Sequence, residues 1–338
     1  MIIVRIVDDQ TTWETFLSQN PQQNFLQSWC WLEMQKHSGK NVFPLGFYLD
    51  NQLQGIALLI KEEARRGPYL ACPGGPVLNW DYPKYLKIFT SISRKVAEAV
   101  GAWFIRIRPT VKENNVILNT LTKNGFNKAP MHMDAETTWQ LDLNPDENEL
   151  LNQMAKDHRY EIRKAARLGI KVIASSCLKD VKILYQLQLE TARRQNFVPF
   201  SIDHLMEEFL AFKKRNKAII FKAVYQGQSI AMGLTIFYGK EAIYHYAAAN
   251  SLSRKMSGAY AICWEAIREA KRRNLSRFNF WGIAPATNQH HRFTGLNHFK
   301  MGFGGERVEL VHAHDLVIDP RYWLTYSFES LRRLYRRL

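Results

Sequence analysis

The chain has 338 residues, 46% of them apolar and 12% aromatic, which excludes a disordered chain and at that length favours two cores over one. Its 46 lysines and arginines against 31 acidic residues give a net charge of +15, which points to polyanionic partners: nucleic acid, phosphorylated substrates or an anionic membrane face. The longest apolar run, near "GIALLI", is only strand-sized, and "MIIVRIVDDQ" lacks the basic leader, apolar stretch and cleavage site of a signal peptide, so the cytoplasm is the expected compartment.

The first 145 residues read as mixed α/β. "NFLQSWCWLEMQKHSG" is helix-like and closes at Gly39. "VFPLGFYLDNQLQGIALLIKEE" is a hairpin joined across Asp50–Asn51, and "GPYLACPGGPVLNW" is extended and broken by glycine and proline. "PKYLKIFTSISRKVAEAVGA" is an amphipathic helix, "WFIRIRP" a buried strand stopped by Pro109, and "TTWQLDL" a further strand.

A boundary falls at "NPDENELLNQM", where Asn144 or Asp146 caps a new helix. The second half repeats the grammar. A helix over 150–168 leads to the strand "GIKVIAS" and the helix "DVKILYQLQLETARRQN". The hairpin "AIIFKAVYQGQSIAMGLTIFYGKEAIYHYAAAN" turns at Gln226–Gly227 and Gly239–Lys240. The long helix "GAYAICWEAIREAKRRN" and the strand "RFNFWGI" follow, with Phe278, Phe280 and Trp281 read as core. The pattern implies two copies of one α/β unit.

Four scattered cysteines (Cys30, Cys72, Cys177, Cys263) without a C-x-x-C pair read as buried, reduced thiols. Neither His290–His291 nor His312-x-His314 has the helical spacing with a carboxylate that marks a zinc hydrolase, so no metal and no cofactor are expected.

The positive charge is concentrated. In "LLNQMAKDHRYEIRKAARLGIKV", Lys156, Tyr160, Arg163 and Arg167 recur at 4-3-4 spacing on one helix face, with Arg159 and Lys164 flanking it. Leu151, Met154, Ile162 and Ala165 take another face. The stripe reads either as a solvated surface or as a phosphate-facing ridge. In "RYWLTYSFESLRRLYRRL", Leu324, Phe328, Leu331, Tyr335 and Leu338 share one face, with Arg332, Arg333, Arg336 and Arg337 opposite. Such a helix packs on the protein or lies on anionic headgroups.

Together these residues resemble the Fem-type (FemABX) family of non-ribosomal peptidyltransferases, over nearly the whole chain. The most specific element is the aromatic strand "FNFWGI", a loop with a histidine, and then "GLNHFKMGFGGERVE"; next comes "DHRYEIRKAARLGIKV". "FLQSWCW", "CPGGPV" and the pattern Thr191, Arg194, Phe197 match more loosely, and "EAIYHYAAANSLSRKMSGAYAICWEAIREAKRRN" matches in grammar. The resemblance implies two tandem GNAT-like domains, here 1–145 plus 317–338 and 146–316, with a substrate cleft between them. It implies transfer of an amino acid from aminoacyl-tRNA to a peptidoglycan precursor, lipid II or UDP-MurNAc-pentapeptide, in cell-wall bridge formation. Peripheral contact with an anionic membrane fits such an acceptor. The stretch 198–220 is too short for the coiled-coil arm of some members. Arg108–Pro109 stands where members often have Asp–Pro, so no general base carries over to that position.

An aminoacyl ester is already activated, so an enzyme needs mainly proximity and oxyanion stabilisation. No Ser-His-Asp or Cys-His arrangement is apparent, which fits direct attack by an amine. Lys300, between the aromatic strand and Gly302, Gly304 and Gly305, is the expected electrophilic group; alternatively it snorkels from an edge strand. The resemblance favours the first reading, with Gly304 and Gly305 letting backbone approach the substrate. Arg194 suits a substrate diphosphate, with Lys36 a second choice. Tyr244 and Tyr246, alternating onto one strand face, line the stem-peptide channel or pack in the core. Lys156, Arg159, Arg163, Arg167 and Arg254 are the expected tRNA- or phosphate-facing set.

Two rival classes remain. An acyl-CoA-dependent N-acyltransferase would cradle pyrophosphate with an R/Q-x-x-G-x-G/A loop, but "SRKMSGAYA" holds Arg254 and Gly258 at the wrong spacing. A basic RNA-binding protein would interleave aromatics with its charges, and the helix at 156–167 offers only Tyr160.

Overall fold

A computed structural model describes residues 2–195, 197–284 and 294–336. Its strands are β1 (Ile2–Ile6), β2 (Val42–Leu49), β3 (Gln52–Ala64), β4 (Gly67–Gly74), β5 (Phe104–Pro109), β6 (Phe126–Lys128), β7 (Thr137–Asp142), β8 (Lys171–Ser175), β9 (Ala218–Tyr225), β10 (Gln228–Tyr238), β11 (Glu241–Ala249), β12 (Arg277–Gly282), β13 (Glu306–Glu309) and β14 (His314–Val317). Its helices are α1 (Gln10–Gln19), α2 (Trp29–His37), α3 (Pro83–Ala99), α4 (Asn115–Lys123), α5 (Glu147–Gln153), α6 (Lys156–Arg167), α7 (Leu178–Gln195), α8 (Ile202–Lys213), α9 (Ser251–Met256), α10 (Gly258–Arg272), α11 (Thr294–Met301) and α12 (Tyr322–Arg336).

The strands form two seven-stranded sheets, ordered β1-β2-β3-β4-β5-β14-β6 and β13-β7-β12-β11-β10-β9-β8. In the first, β1 to β4 are successive antiparallel neighbours, β4 pairs parallel with β5, and β14 is antiparallel to β5 and β6. In the second, β8 to β11 are antiparallel neighbours, β11 pairs parallel with β12, and β7 is antiparallel to β12. One topology therefore occurs twice, as the repeated grammar implies. In each copy the strand beyond the parallel pair comes from outside the run of five.

That strand moves the boundaries. β7 was read with the first 145 residues, but it pairs with β12 in the second sheet. The 146–316 span takes in His314–Leu316 of β14, but that strand lies between β5 and β6. Among the described residues, 2–137 with 309–336 make one unit and 138–284 with 294–308 the other.

The first unit closes its β2–β3 hairpin through Asp50 (φ 50°) and Asn51 (φ 62°), the double left-handed turn that asparagine and aspartate tolerate. Phe47, Leu59, Phe89, Ile105, Ile107 and Phe126 fill its core. The period of two on β5 puts Ile105 and Ile107 on that core and sends Arg106 and Arg108 to the other face, where both are nonetheless buried. Arg106 makes a two-pronged pair with Asp315 of β14 at 2.7 Å and also donates to Glu329 of α12 at 2.8 Å. Arg108 pairs with Asp134. The C-terminal segment is thus tied to the first unit.

In the second unit Phe221, Ile262, Cys263, Phe278, Phe280 and Phe303 form the core, with α10 packed on β9, β10 and β11. The expected single helix over 150–168 is two. α5, opened by an Asp146–Glu149 capping box, stops at Met154, whose side chain is buried, and α6 starts at Lys156. Cys30, Cys72 and Cys263 are buried free thiols; Cys177, expected buried, is exposed. The pair His290–His291, with Arg337 and Leu338, lies outside the described residues.

Candidate active site

Lys300 does not sit on an edge strand. It occupies the last turn of α11, and its half-buried side chain reaches back so that Nζ donates to the carbonyl of Gly282, the last residue of β12, at 2.5 Å. Burial lowers its ammonium to about 8, slightly opposed by nearby Cys263. An ammonium has three donors, and among the described residues this bond uses one. At neutral pH the group remains mostly protonated, with donors left for a developing negative charge.

The backbone beside this contact is strained. Trp281 has φ +65°, rare for a bulky residue, where the pairing of β12 with β7 slips between Asn279 and Gly282. The Asn279 side chain accepts from the Trp281 amide at 2.8 Å and donates to Glu241 at 2.7 Å, which holds the kink. Phe278 and Phe280 are core, as read, but Trp281 is only half-buried, and its ring meets His245 edge-on at 5.1 Å.

His245 explains why the two tyrosines part company. Thr235 pairs with Tyr244 and Leu234 with Tyr246, so His245 is the extra residue of a β-bulge. Adjacent residues on β10 face opposite ways, and so therefore do Tyr244 and Tyr246, against the expectation of one face. Tyr244 joins the core beside Cys263; a Cβ at Gly233 would fall 2.8 Å from its ring, so glycine there makes its room. Tyr244 is thereby placed away from any open channel on its face, 5% exposed.

Tyr246 enters a polar cluster under α8. Its hydroxyl donates to Glu208 at 3.1 Å, His245 Nδ1 lies 2.7 Å from the same carboxylate, and His204 Nε2 lies 3.5 Å from it. Phe200 stacks on His204 at 4.7 Å and meets Tyr246 edge-on. Burial would raise the Glu208 acid; the charge of His245 and the bonds from both histidines outweigh it and hold the carboxyl at about 2. A carboxylate is thus kept ionised without solvent access. Lys300, Gly282, Trp281, His245, Glu208 and Tyr246 form one contiguous set within the second unit.

Arg194 is exposed near the end of α7, and its Nη2 lies 3.5 Å from the carbonyl of Ala249 at the end of β11. Its strand neighbour, three residues from Tyr246, brings the guanidinium to the same strand as the cluster. Lys36 is exposed in the last turn of α2, in the first unit. Gly304 (φ +86°) and Gly305 (φ +99°) do allow close backbone approach, but to the protein itself. A Cβ on Gly305 would fall 2.2 Å from the Gln140 carbonyl, and the Gly304 carbonyl accepts from Trp139 at 2.7 Å. Among the described residues Gly305 thereby sets β13 beside β7, whereas a Cβ on Gly304 would meet nothing nearer than 3.5 Å.

On α6 the stripe Lys156, Tyr160, Arg163 and Arg167 is exposed, with the Arg167 guanidinium 5.7 Å above the Tyr160 ring. Arg159 departs from it: it donates to the carbonyls of Asn152 (3.0 Å) and Met154 (2.7 Å), closing the end of α5. Arg254 is exposed on α9, and Ser257 just beyond it donates to Glu161 of α6.

Sequence spacing gave no metal cluster, yet folding brings Asp157 and His158 of α6 to His298 of α11, with their ligand atoms all within 4.8 Å. These three could hold a cation. Without one they bond to each other: Asp157 lies 3.0 Å from His158 Nδ1 and 2.9 Å from His298 Nε2, and His158 Nε2 lies 2.9 Å from the Phe299 carbonyl. Chiefly the His158 bond holds the Asp157 carboxyl at about 2. The links pin α11, and so Lys300, to the start of α6. Gly302 is what admits the His158 ring, 2.0 Å from where a Cβ would stand.

The architecture is that of a tandem GNAT-like protein. The structure aligns with a tandem GNAT protein from the clavulanic acid pathway at TM-score 0.59 (10% identity, 95% of this chain and 99% of that one), and with FemX at 0.85 (17% identity, 95% and 99%). The FemAB family model matches residues 9–217 and 201–329, and the chain belongs to that family. A lipid II:glycine glycyltransferase of Staphylococcus aureus (strain MRSA252) is 23% identical over 219 residues, 62% of this chain and 52% of that protein. The chain thus spans about half the length of the curated relatives it matches.

Proposed function

We propose that this protein is an aminoacyltransferase that moves an amino acid from aminoacyl-tRNA to the side-chain amine of a peptidoglycan-precursor stem peptide, lipid-linked or nucleotide-linked. The observation that carries the reading is the Lys300 ammonium, half-buried, held at the strained end of β12 and backed by the buried Glu208 cluster. Membership of the FemAB family and the name of the staphylococcal relative support the substrate class.

In this reading the neutral amine attacks the ester carbonyl, the C–N bond forms, and negative charge collects on the former carbonyl oxygen. Lys300 stabilises that oxygen, the C–O bond to the tRNA ribose breaks, the ribose oxygen takes a proton, and the amine yields one. Arg194 holds the precursor diphosphate, and the exposed α6 stripe with Arg254 meets tRNA phosphates. Tyr246, tied to Glu208, borders the acceptor peptide. Peripheral contact with the inner membrane face suits a lipid-linked acceptor.

An acyl-CoA donor is disfavoured by the start of α10. The stretch that would cradle pyrophosphate is helical up to Met256, and the Ser253 hydroxyl accepts from the Ala259 amide at 3.2 Å. A mass-tagged transfer assay tests the proposal. Label should pass from charged tRNA to lipid II or UDP-MurNAc-pentapeptide and not from acyl-CoA; the reverse result overturns it.

A further inference from the structure

Helix α12 is amphipathic in the wrong sense for a helix packed on a soluble protein. Its inward face is polar: Tyr322, Thr325 and Glu329 are buried, and each is committed to a hydrogen bond. Tyr322 donates to Asp315 at 3.0 Å, Thr325 to the carbonyl of Arg66, and Glu329 accepts from Arg106 at 2.8 Å. Its outward face is apolar. Trp323, Leu324, Phe328, Leu331, Leu334 and Tyr335 are all exposed, from 51% at Trp323 and Phe328 to 90% at Tyr335. At 100° per residue these six fall within one 140° arc, which also holds Ser327. A scattered exposed leucine needs no explanation, but a continuous apolar arc on one helix does.

The surroundings decide what covers it. Arg332 lies just past the Phe328 edge of the arc, exposed Arg65 lies in the β3–β4 turn, and the Arg66 guanidinium sits 4.8 Å over the Phe328 ring. A second copy of this chain would set these arginines against their own kind in a protein of net charge +15. An anionic bilayer surface meets both demands, taking the apolar side chains below the headgroups and pairing the arginines with phosphates.

We infer that the outward face of α12 is a membrane-docking surface that seats on anionic lipid, with Leu324 and Leu331 near its centre, Phe328 at one edge under Arg66, and Arg65 and Arg332 beside that edge. The helix lies flat on the surface. It does not span it, since no described helix is long and apolar enough to cross a membrane. The surface stands on its own geometry and needs no transfer activity.

The test uses the intact protein and vesicles free of any precursor, so it can fail without touching the transfer reading. Partitioning is measured onto phosphatidylcholine vesicles with and without a quarter phosphatidylglycerol. Anionic vesicles should bind the protein at least about tenfold more tightly, and brominated lipid should quench Trp323. Leu324→Ser, Phe328→Ser and Leu331→Ser together should remove the binding. Leu334→Ser with Tyr335→Ser should weaken it without touching any buried position, which covers the chance that the triple variant folds poorly. Arg65→Gln with Arg332→Gln should cost about fivefold per arginine on anionic vesicles only. Wild-type binding by folded triple and double serine variants overturns the inference. So does equal binding to neutral vesicles, or a wild-type dimer that the triple variant dissolves.

Discussion

The Lys300 ammonium donates to the carbonyl of Gly282 at 2.5 Å, joining the end of α11 to the end of β12 and holding a cation at the kink made by Trp281. Replacing it with methionine keeps the length of the stem and removes the charge. Single-turnover transfer should fall about 10²–10³-fold with little change in precursor binding, and Lys300→Arg should restore only part of it. Wild-type turnover in a folded Lys300→Met protein would refute the assignment.

The same lysine makes a prediction about pH. Its folded value, about 8, lies below the ordinary 10.5, so the unfolded chain holds more protons between those values and stability rises with pH across that window. The cost of the buried charge is full below about pH 8 and gone above 10.5. Denaturant melts of wild type and Lys300→Met should therefore shift in favour of wild type by about 3 kcal/mol from pH 7 to 10.5. In the same range the wild-type transfer rate should fall above about pH 8. A pH-independent difference in stability would show that the half-buried ammonium carries no desolvation cost.

Glu208 is an ionised carboxylate with no exposed surface, held by His245, His204 and Tyr246. Glu208→Gln leaves the largely covered His245 and the partly exposed His204 facing a neutral amide and should cost about 3–5 kcal/mol, read by urea melts at pH 7. Its folded value, about 2, lies below the ordinary 4.5, so its contribution is complete above 4.5 and is lost as pH falls towards 2. The variant and wild type should converge over that interval.

Arg159 and Arg163 look alike in sequence and should behave differently. Arg163→Ala and Arg167→Ala remove exposed charges, and each should weaken charged-tRNA binding and reduce its salt slope by about one. Arg159→Ala strips the cap from Asn152 and Met154, so it should lower the melting temperature first. Equal tRNA losses without a stability change would place Arg159 back on the ridge.

Arg194→Ala should raise the precursor KM steeply and leave charged-tRNA affinity little changed, because a guanidinium near the end of β11 serves one substrate. Equal losses for both substrates would make it structural or tRNA-facing.

Local chemistry by itself determined much of this protein. The Asp50–Asn51 and Gln226–Gly227 turns, the capping box at Asp146, the amphipathic α3 and the exposed α6 stripe all depend on residues within a turn or two of each other, and period and turn preference reveal them. The repeated grammar announced a repeated fold for the same reason. Tertiary structure decided what distance along the chain conceals. The bulge at His245 turns Tyr246 from its neighbour's face towards Glu208, 38 residues away, and nothing in the alternation of "YHY" signals the extra residue. Pairing put β7 between β13 and β12 and β14 between β5 and β6, where Asp315 of β14 meets the buried Arg106, a partner 209 residues away that local pattern does not reveal. The direction of α12 was decided the same way. Its two faces are plain in the sequence, but only the buried pairing of Arg106 with Asp315 and Glu329 turns the polar face inward and leaves the apolar one outside.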